Sequence, residues 1–199
     1  RTAIGLAREH DAPLHVLHLT TAIEMDLFEP GPMEGKLVTA EVCVHHLHFN
    51  SGDYPRLGNH IKCNPAIKAA SDREALVKAV NEGRIDIIAT DHAPHTAEEK
   101  AATDYLKAPA GLPLVQDALL SVLELHHDGD LSLERIVRLT AHNVADRFRV
   151  IDRGYLREGY WADLVLVDTA TPTPVTADRV LSQCGWTPFE GETFRSAIA

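Results

Sequence analysis

The residues best equipped for chemistry sit at the ends of three short apolar runs. LHVLHL (14–19) delivers His18, KLVTAEVCV (36–44) runs into His45 and His46, and RIDIIATD (84–91) ends at Asp91 with His92 and His95 close behind. Imidazole nitrogen and carboxylate oxygen are the donors that hold a catalytic divalent ion. A carboxylate beside such an ion can also relay a proton. His18 and Asp91 supply two donors, short of the about three that a catalytic zinc takes from its protein. A lone histidine at a strand end is more often a hydrogen-bonded structural residue. Three successive runs ending in imidazole or carboxylate point instead to one shared polar site.

These runs must be positioned by something, and their surroundings alternate. Thr21-Ala22-Ile23-Glu24 and Ser71-Asp72-Arg73-Glu74 match capping boxes, and the helix opened by the second should stop at Gly83. Helical spacing recurs over 112–127, 132–140 and 142–148. Strand, helix, strand, helix, strand is the rhythm of βα units on a parallel sheet, where functional residues gather at the C-terminal strand ends. Residues 92–111 read as a long polar loop. Its 96–110 stretch has few apolar anchors and is expected to be mobile until substrate binds. Residues 1–10 carry helical spacing with no capping residue ahead of them, as if the chain opened inside a helix. After residue 150 the character changes. GYLREGYWADLVLVD (154–168) reads as two strands around a Glu-Gly turn, so residues 1–150 are taken as an α/β part and 151–199 as a small β-sandwich-type unit.

Composition narrows the classes. The 199 residues are 45% hydrophobic and 24% charged, a globular balance rather than a disordered one. Nineteen Lys and Arg against 29 Asp and Glu give a net charge of −10 with no basic run, which argues against a nucleic-acid surface. No apolar run approaches the roughly 18 residues of a membrane span. Cys43, Cys63 and Cys184 are odd in number and widely spaced, forming neither a disulfide framework nor a zinc knuckle. A reducing, cytoplasmic setting is the expectation.

Several segments, in order, carry a resemblance. DHAPH (91–95) after IIAT, HVLHLTT (15–21), TAEVCVHHLHF (39–49), IKCNPAIK (61–68), APAGLPLVQ (108–116), and the tail strings EGYWADLVLVD (158–168) and TPFEG (187–191) resemble dihydroorotases of the amidohydrolase superfamily, type I-like. The resemblance covers essentially the whole chain. It implies the C-terminal part of a (β/α)8 TIM barrel, about its last three strands, plus a small β unit. A complete barrel takes about 250 residues. The family's upstream His-x-His, bridging carboxylated lysine and fifth-strand histidine have no counterpart here, so the chain alone should neither close a barrel nor bind two metals.

The same resemblance implies roles. His18 matches a metal ligand on the sixth barrel strand. Asp91 matches the eighth-strand aspartate that ligates metal and shuttles the proton. Asn64 matches a contact to the pyrimidine-like ring, His95 a contact to the substrate carboxylate, and Ala110 and Gly111 a loop whose backbone meets that ring. His45, His46 and His92 match supporting residues, with simple packing preferred for His46. His10, His48, His60, His126, His127 and His142 are read as surface or structural. Two departures stand out: Val144 replaces a usual proline, and Lys68 a usual arginine. The implied activity is reversible conversion of dihydroorotate to N-carbamoyl-L-aspartate in pyrimidine synthesis, with two divalent ions, zinc foremost. Homodimerisation and association with aspartate transcarbamoylase are possible partnerships. The alternatives are a hydantoinase or allantoinase, which tend to lack histidine at position 95, and a non-catalytic structural partner of aspartate transcarbamoylase.

Overall fold

A computed structural model describes residues 1–199. The chain opens with helix α1 (Thr2–Glu9), which packs Ile4 and Ala7 inward and leads into strand β1 (Leu14–Val16). The Glu24 carboxylate accepts from the Thr21 amide (3.0 Å) and hydroxyl (2.8 Å), and a 3₁₀ segment, Ala22–Leu27, follows. Strand β2 (Val38–Cys43) runs directly into helix α2 (Val44–His48). Past the short helix α3 (Tyr54–Leu57), helix α4 (Ala70–Glu82) returns the chain to strand β3 (Ile87–Ala89).

The three strands form one parallel sheet in the order β1-β2-β3. Parallel strands need long crossovers, and α4 supplies the second. All six residues of β2 are buried, because strands flank it and helices cover it. Its Ala40 and Val42 join one continuous core with Leu76 and Val80 of α4. Full burial of such side chains contributes about 1.5–3 kcal/mol each. At the opening edge of the sheet the Lys36 ammonium meets the Asp86 carboxylate at 2.8 Å, and the other Asp86 oxygen accepts from the Ala40 amide at 3.0 Å. Beside them, His15 Nε2 bonds the Glu41 carboxylate at 3.0 Å and Nδ1 the Thr39 hydroxyl at 2.8 Å.

Local starts and stops differ from the sequence reading in instructive ways. Helix α4 begins at Ala70, so Ser71 lies inside its first turn rather than at its cap. Asp72 takes over, accepting from the Ala22 amide at 2.9 Å and the Ala69 amide at 3.3 Å. Helix α5 (Ala97–Lys100) interrupts the polar loop, capped by Thr96. Helix α6 (Ala118–His127) starts six residues later than the spacing suggests. Leu112 instead bridges His92, and Asp117 accepts from the Thr187 hydroxyl at 2.7 Å. Helices α7 (Leu133–Val137) and α8 (Asn143–Phe148) are one continuous rod joined by a turn of π-helix at Arg138–His142. Val144 therefore lies within that rod and starts nothing.

In the tail, β4 (Val167–Asp168) pairs antiparallel with β7 (Ala197–Ile198), and β5 (Thr173–Pro174) with β6 (Thr193–Phe194). Residues 154–166 form no strand, a correction to the two-strand reading. Leu164, Val165 and Leu166 stand exposed there, since a strand needs a partner ladder for its backbone. The tail is sealed to the α/β part by Phe189, which stacks on Phe49 at 5.3 Å between ring centroids, and by Arg195, which binds Glu124 and Asp128.

Gly83 closes α4 at φ 72°, and a Cβ there would stand 2.2 Å from the Gly31 carbonyl oxygen. Gly83→Ala should lower stability by about 2–4 kcal/mol, from left-handed strain plus a backbone clash. Denaturant unfolding of the protein measures it. The core also holds His45 and His46 at the start of α2. Burial drives both pKa values down, that of His46 from 6.5 to about 4. A folded-state value below the unfolded one means stability present above pH 6.5 and lost as pH falls towards about 4. The His46 share is on the order of 3 kcal/mol. Urea unfolding at neutral and mildly acid pH should show this loss, and His46→Gln should remove the His46 share while leaving that of His45.

Candidate functional site

The chain leaves β1 at His18 and β3 at Asp91, and both residues hold the left-handed backbone, at φ 38° and 49°. Non-glycine residues there cost about 1–3 kcal/mol and cluster at functional sites. Because β2 lies between β1 and β3, His18 and Asp91 flank its outgoing end. Electrostatics agree. His18 is near enough to oppose protonation of His45 and His46, and the Asp91 carboxylate is near enough to push up the Cys43 and Cys63 thiols. His18 is half-buried and Asp91 exposed, so this donor pair is open to an incoming ligand.

A second donor set lies just beneath. Cys43 Sγ and nitrogens of His45 and His46 lie within 4.8 Å of one another, all buried. Neither nitrogen of His45 has a partner. His46 Nε2, however, already donates to the Pro65 carbonyl at 2.9 Å. The Cys43 thiol is held protonated, mainly by burial. These residues pack under the site, whereas His18 and Asp91 face outward from it.

The other predicted residues gather beside Asp91. The Gly111 amide donates to the Lys62 carbonyl at 2.9 Å, two residues before the exposed Asn64. His95 Nε2 donates to the Ala110 carbonyl at 3.1 Å. The Ala93 amide donates to the Leu112 carbonyl at 3.0 Å. Gly111 sits at φ 141°, where a Cβ would stand 2.5 Å from the Ala93 carbonyl oxygen, so only glycine permits this approach. The structure thus brings His95, Ala110, Gly111 and the segment carrying Asn64 into one neighbourhood. His92 braces it from outside, its Nδ1 accepting from the Leu114 (2.9 Å) and Val115 (3.1 Å) amides.

Five other histidines have structural partners, and His10 lies exposed. His48 meets Glu192, His126 the Leu131 carbonyl, and His127 the Ser196 hydroxyl. His60 packs on Trp186 and His142 stacks on Tyr155. Two residues given no role in the sequence reading prove central: Lys62 and Lys100. Lys62 donates to the Tyr105 and Ala108 carbonyls, and Lys100 is wholly buried. Asn59 adds bonds to the Lys100 (3.2 Å) and Ala102 (2.7 Å) carbonyls. Residues 96–110 are therefore tied down in this structure by polar anchors, where their apolar content suggests a loose loop. Thr96-x-x-Glu99, itself a capping box, was the available sign of order.

With this geometry in view, comparison with known proteins is specific. The profile of the Amidohydrolase family matches residues 3–192. A dihydroorotase of Halobacterium salinarum is 41% identical over 189 residues, 95% of this chain and 43% of that protein. A dihydroorotase of Bacillus cytotoxicus is 36% identical over 189 residues, 94% of this chain and 44% of that protein. Among solved structures, the L-hydantoinase (dihydropyrimidinase) of Arthrobacter aurescens superposes at TM-score 0.91 with 29% identity, over 98% of this chain and 44% of that one. A dihydroorotase of Saccharomyces cerevisiae, at TM-score 0.79 and 18% identity, shares the fold over 98% of this chain and 54% of that one. The chain thus spans less than half the length of the curated relatives it matches. Strand-end imidazole and carboxylate, the glycine that lets loop 108–111 approach, and a match running almost from end to end converge: this chain belongs to the amidohydrolase family.

Proposed function

We propose that this chain forms the C-terminal part of a (β/α)8 barrel, with β1, β2 and β3 as its last three strands. The complete protein is then a dihydroorotase, a cyclic amide hydrolase that interconverts dihydroorotate and N-carbamoyl-L-aspartate in pyrimidine synthesis. The observation that carries this reading is the placement of His18 and Asp91 on either side of the end of β2, with His95 and the Gly111 loop next to Asp91. The open outer edges of β1 and β3 and the exposed apolar run 164–166 support a larger assembly of strands. The curated relatives, more than twice as long, carry the name dihydroorotase.

An imidazole and a carboxylate, both accessible and free of ion-pair partners, fit a divalent ion such as zinc. His18 and Asp91 would hold such ions together with ligands from elsewhere in the protein. Bound there, such ions would supply the positive charge that acidifies water and polarises a ring carbonyl. Asp91 takes the proton of the attacking water and returns it to the departing ring nitrogen. Asn64 and the backbone of Ala110 and Gly111 seat the ring. His95 meets the carboxylate that separates dihydroorotate from a plain cyclic amide. Retention of His18 and Asp91 weighs against a metal-free structural partner of aspartate transcarbamoylase. A hydantoinase is the second reading, favoured by the 0.91 superposition on an L-hydantoinase. Relative kcat/KM for dihydroorotate and hydantoin decides between the two.

Two variants test the roles in the complete protein. Asp91→Asn should cut kcat by about 10²–10⁴-fold with an unchanged circular dichroism spectrum. Near-normal turnover would sink the mechanism. His95→Ala should raise KM for dihydroorotate about tenfold with a smaller change in kcat. An unaltered KM would remove the case for a carboxylate-bearing substrate.

A further inference from the structure

We infer that Lys100 is a positioning residue, a buried ammonium that ties together the two backbone segments framing the substrate face and thereby sets substrate affinity. The inference rests on the functional reading above, since it takes residues 62–64 and 108–111 as the walls that meet substrate. Lys100 is 1% exposed. Its Nζ donates to the Pro109 and Gly111 carbonyls at 3.0 Å each, and to the Lys62 carbonyl at 3.2 Å. Three N–H donors meet three carbonyl oxygens, so the charge is fully hydrogen-bonded without a carboxylate partner. A cation buried this way is costly unless every donor is satisfied. Its cradle joins two segments distant in sequence, one leading to Asn64 and one containing Gly111.

Other contacts lock the cradle to the same site. The ammonium lies 5.6 Å from the centre of the Trp186 ring, and Trp186 Nε1 donates to the His95 carbonyl at 2.7 Å. The charge therefore bears on both walls at once and, through Trp186, on His95. A neutral amine has only two hydrogens for three carbonyls, and one tie would be lost. The groups facing Lys100 or adjoining its cradle are the Lys62 ammonium, the Cys63 thiol, Tyr105 over Lys62, His60 against Trp186, and Asp91 beyond Cys63. Burial and, to a lesser degree, Lys62 draw the Lys100 pKa down to about 8, against an opposing influence of Cys63. The clasp is accordingly set to loosen in the mildly alkaline range.

Steady-state kinetics of the complete protein against pH test this, with whichever cyclic amide it turns over. In wild type, KM should rise as pH passes about 8 while kcat changes less. Lys100→Met should raise KM about tenfold at neutral pH and abolish that alkaline rise. Lys100→Arg, too bulky for the cradle, should restore the charge without restoring KM. A wild-type KM and pH profile in Lys100→Met overturns the proposal. If that variant does not fold, wild-type fluorescence, differenced against Trp186→Phe, reads the clasp with no substrate present. A step in Trp186 emission near pH 8 is expected, and its absence overturns the proposal. Whether dihydroorotate itself is turned over tests the functional reading separately, because neither readout depends on which cyclic amide is used.

Discussion

The parallel pairing of β2 between its two neighbours is the constraint on which the rest depends. Its register, Val16 beside Ala40 and Cys43 beside Ala89, fixes where β1 and β3 release the chain. Because all three strands run the same way, every outgoing loop lies at one edge. The two ends of the sheet then divide the work. The incoming end is closed by Lys36, Asp86 and the Asn143 amide, which donates to the Asp86 carbonyl at 2.6 Å. These groups are buried and fully engaged, so they hold shape and offer nothing to a ligand. The outgoing end carries His18 and Asp91 in strained backbone with open side chains. That combination persists only because the rigid sheet behind it over-determines the backbone.

A second regularity concerns where the positive charge goes. The chain has only 19 Lys and Arg against 29 Asp and Glu, yet many of the cations bind backbone carbonyls. Arg84 donates to the Phe28 carbonyl at 2.8 Å, Arg135 to the Val80 carbonyl at 3.0 Å, and Lys68 to the Ala66 carbonyl at 2.7 Å. Lys36, Lys62 and Lys100 do the same. The reason lies in the long irregular stretches between elements and, at Val80, in the last turn of α4. Their carbonyls lack helix or sheet partners, and burying them bare costs about 1–3 kcal/mol each. A long flexible cation can reach several such oxygens at once, which a neutral side chain cannot. The acidic excess is left largely on the surface.

Much of the sheet was legible in the sequence because its signal is local. Apolar runs at 14–19, 36–44 and 84–91 each contain a strand, though the strands are shorter than the runs, whose ends lie outside the ladder. Gly83 was readable as a helix stop for the same reason: a left-handed terminus wants glycine. The misreadings arise where tertiary contacts decide. Nothing in residues 112–117 announces that Leu112 will bridge His92, and helical spacing alone cannot show a π turn at 138–142. The apolar run 164–166 has strand character, yet it stays exposed and meets its neighbour at its end, where the Leu166 carbonyl accepts from the Ala199 amide at 2.9 Å. Lys100 was the least legible. A lysine in a polar loop reads as solvated, and only the fold reveals three carbonyls converging on it.

His95 shows how the proposed specificity and the observed geometry constrain each other. Its Nε2 is committed to the Ala110 carbonyl, which fixes the ring and leaves Nδ1 as the nitrogen available to a ligand. That nitrogen faces the Glu99 carboxylate at 3.7 Å, beyond hydrogen-bond length. Glu99 is itself held by the Thr96 amide at 2.9 Å, in the cap of α5, so it cannot advance on His95 without breaking the cap. The ring is thus oriented toward a carboxylate and left short of one. On the proposed reading, the substrate carboxylate takes the place that Glu99 only approaches, and because Nε2 already donates to a carbonyl, Nδ1 donates to that carboxylate from the doubly protonated ring. The loop order that Lys100 enforces is what keeps Ala110 in place to hold the imidazole for that encounter.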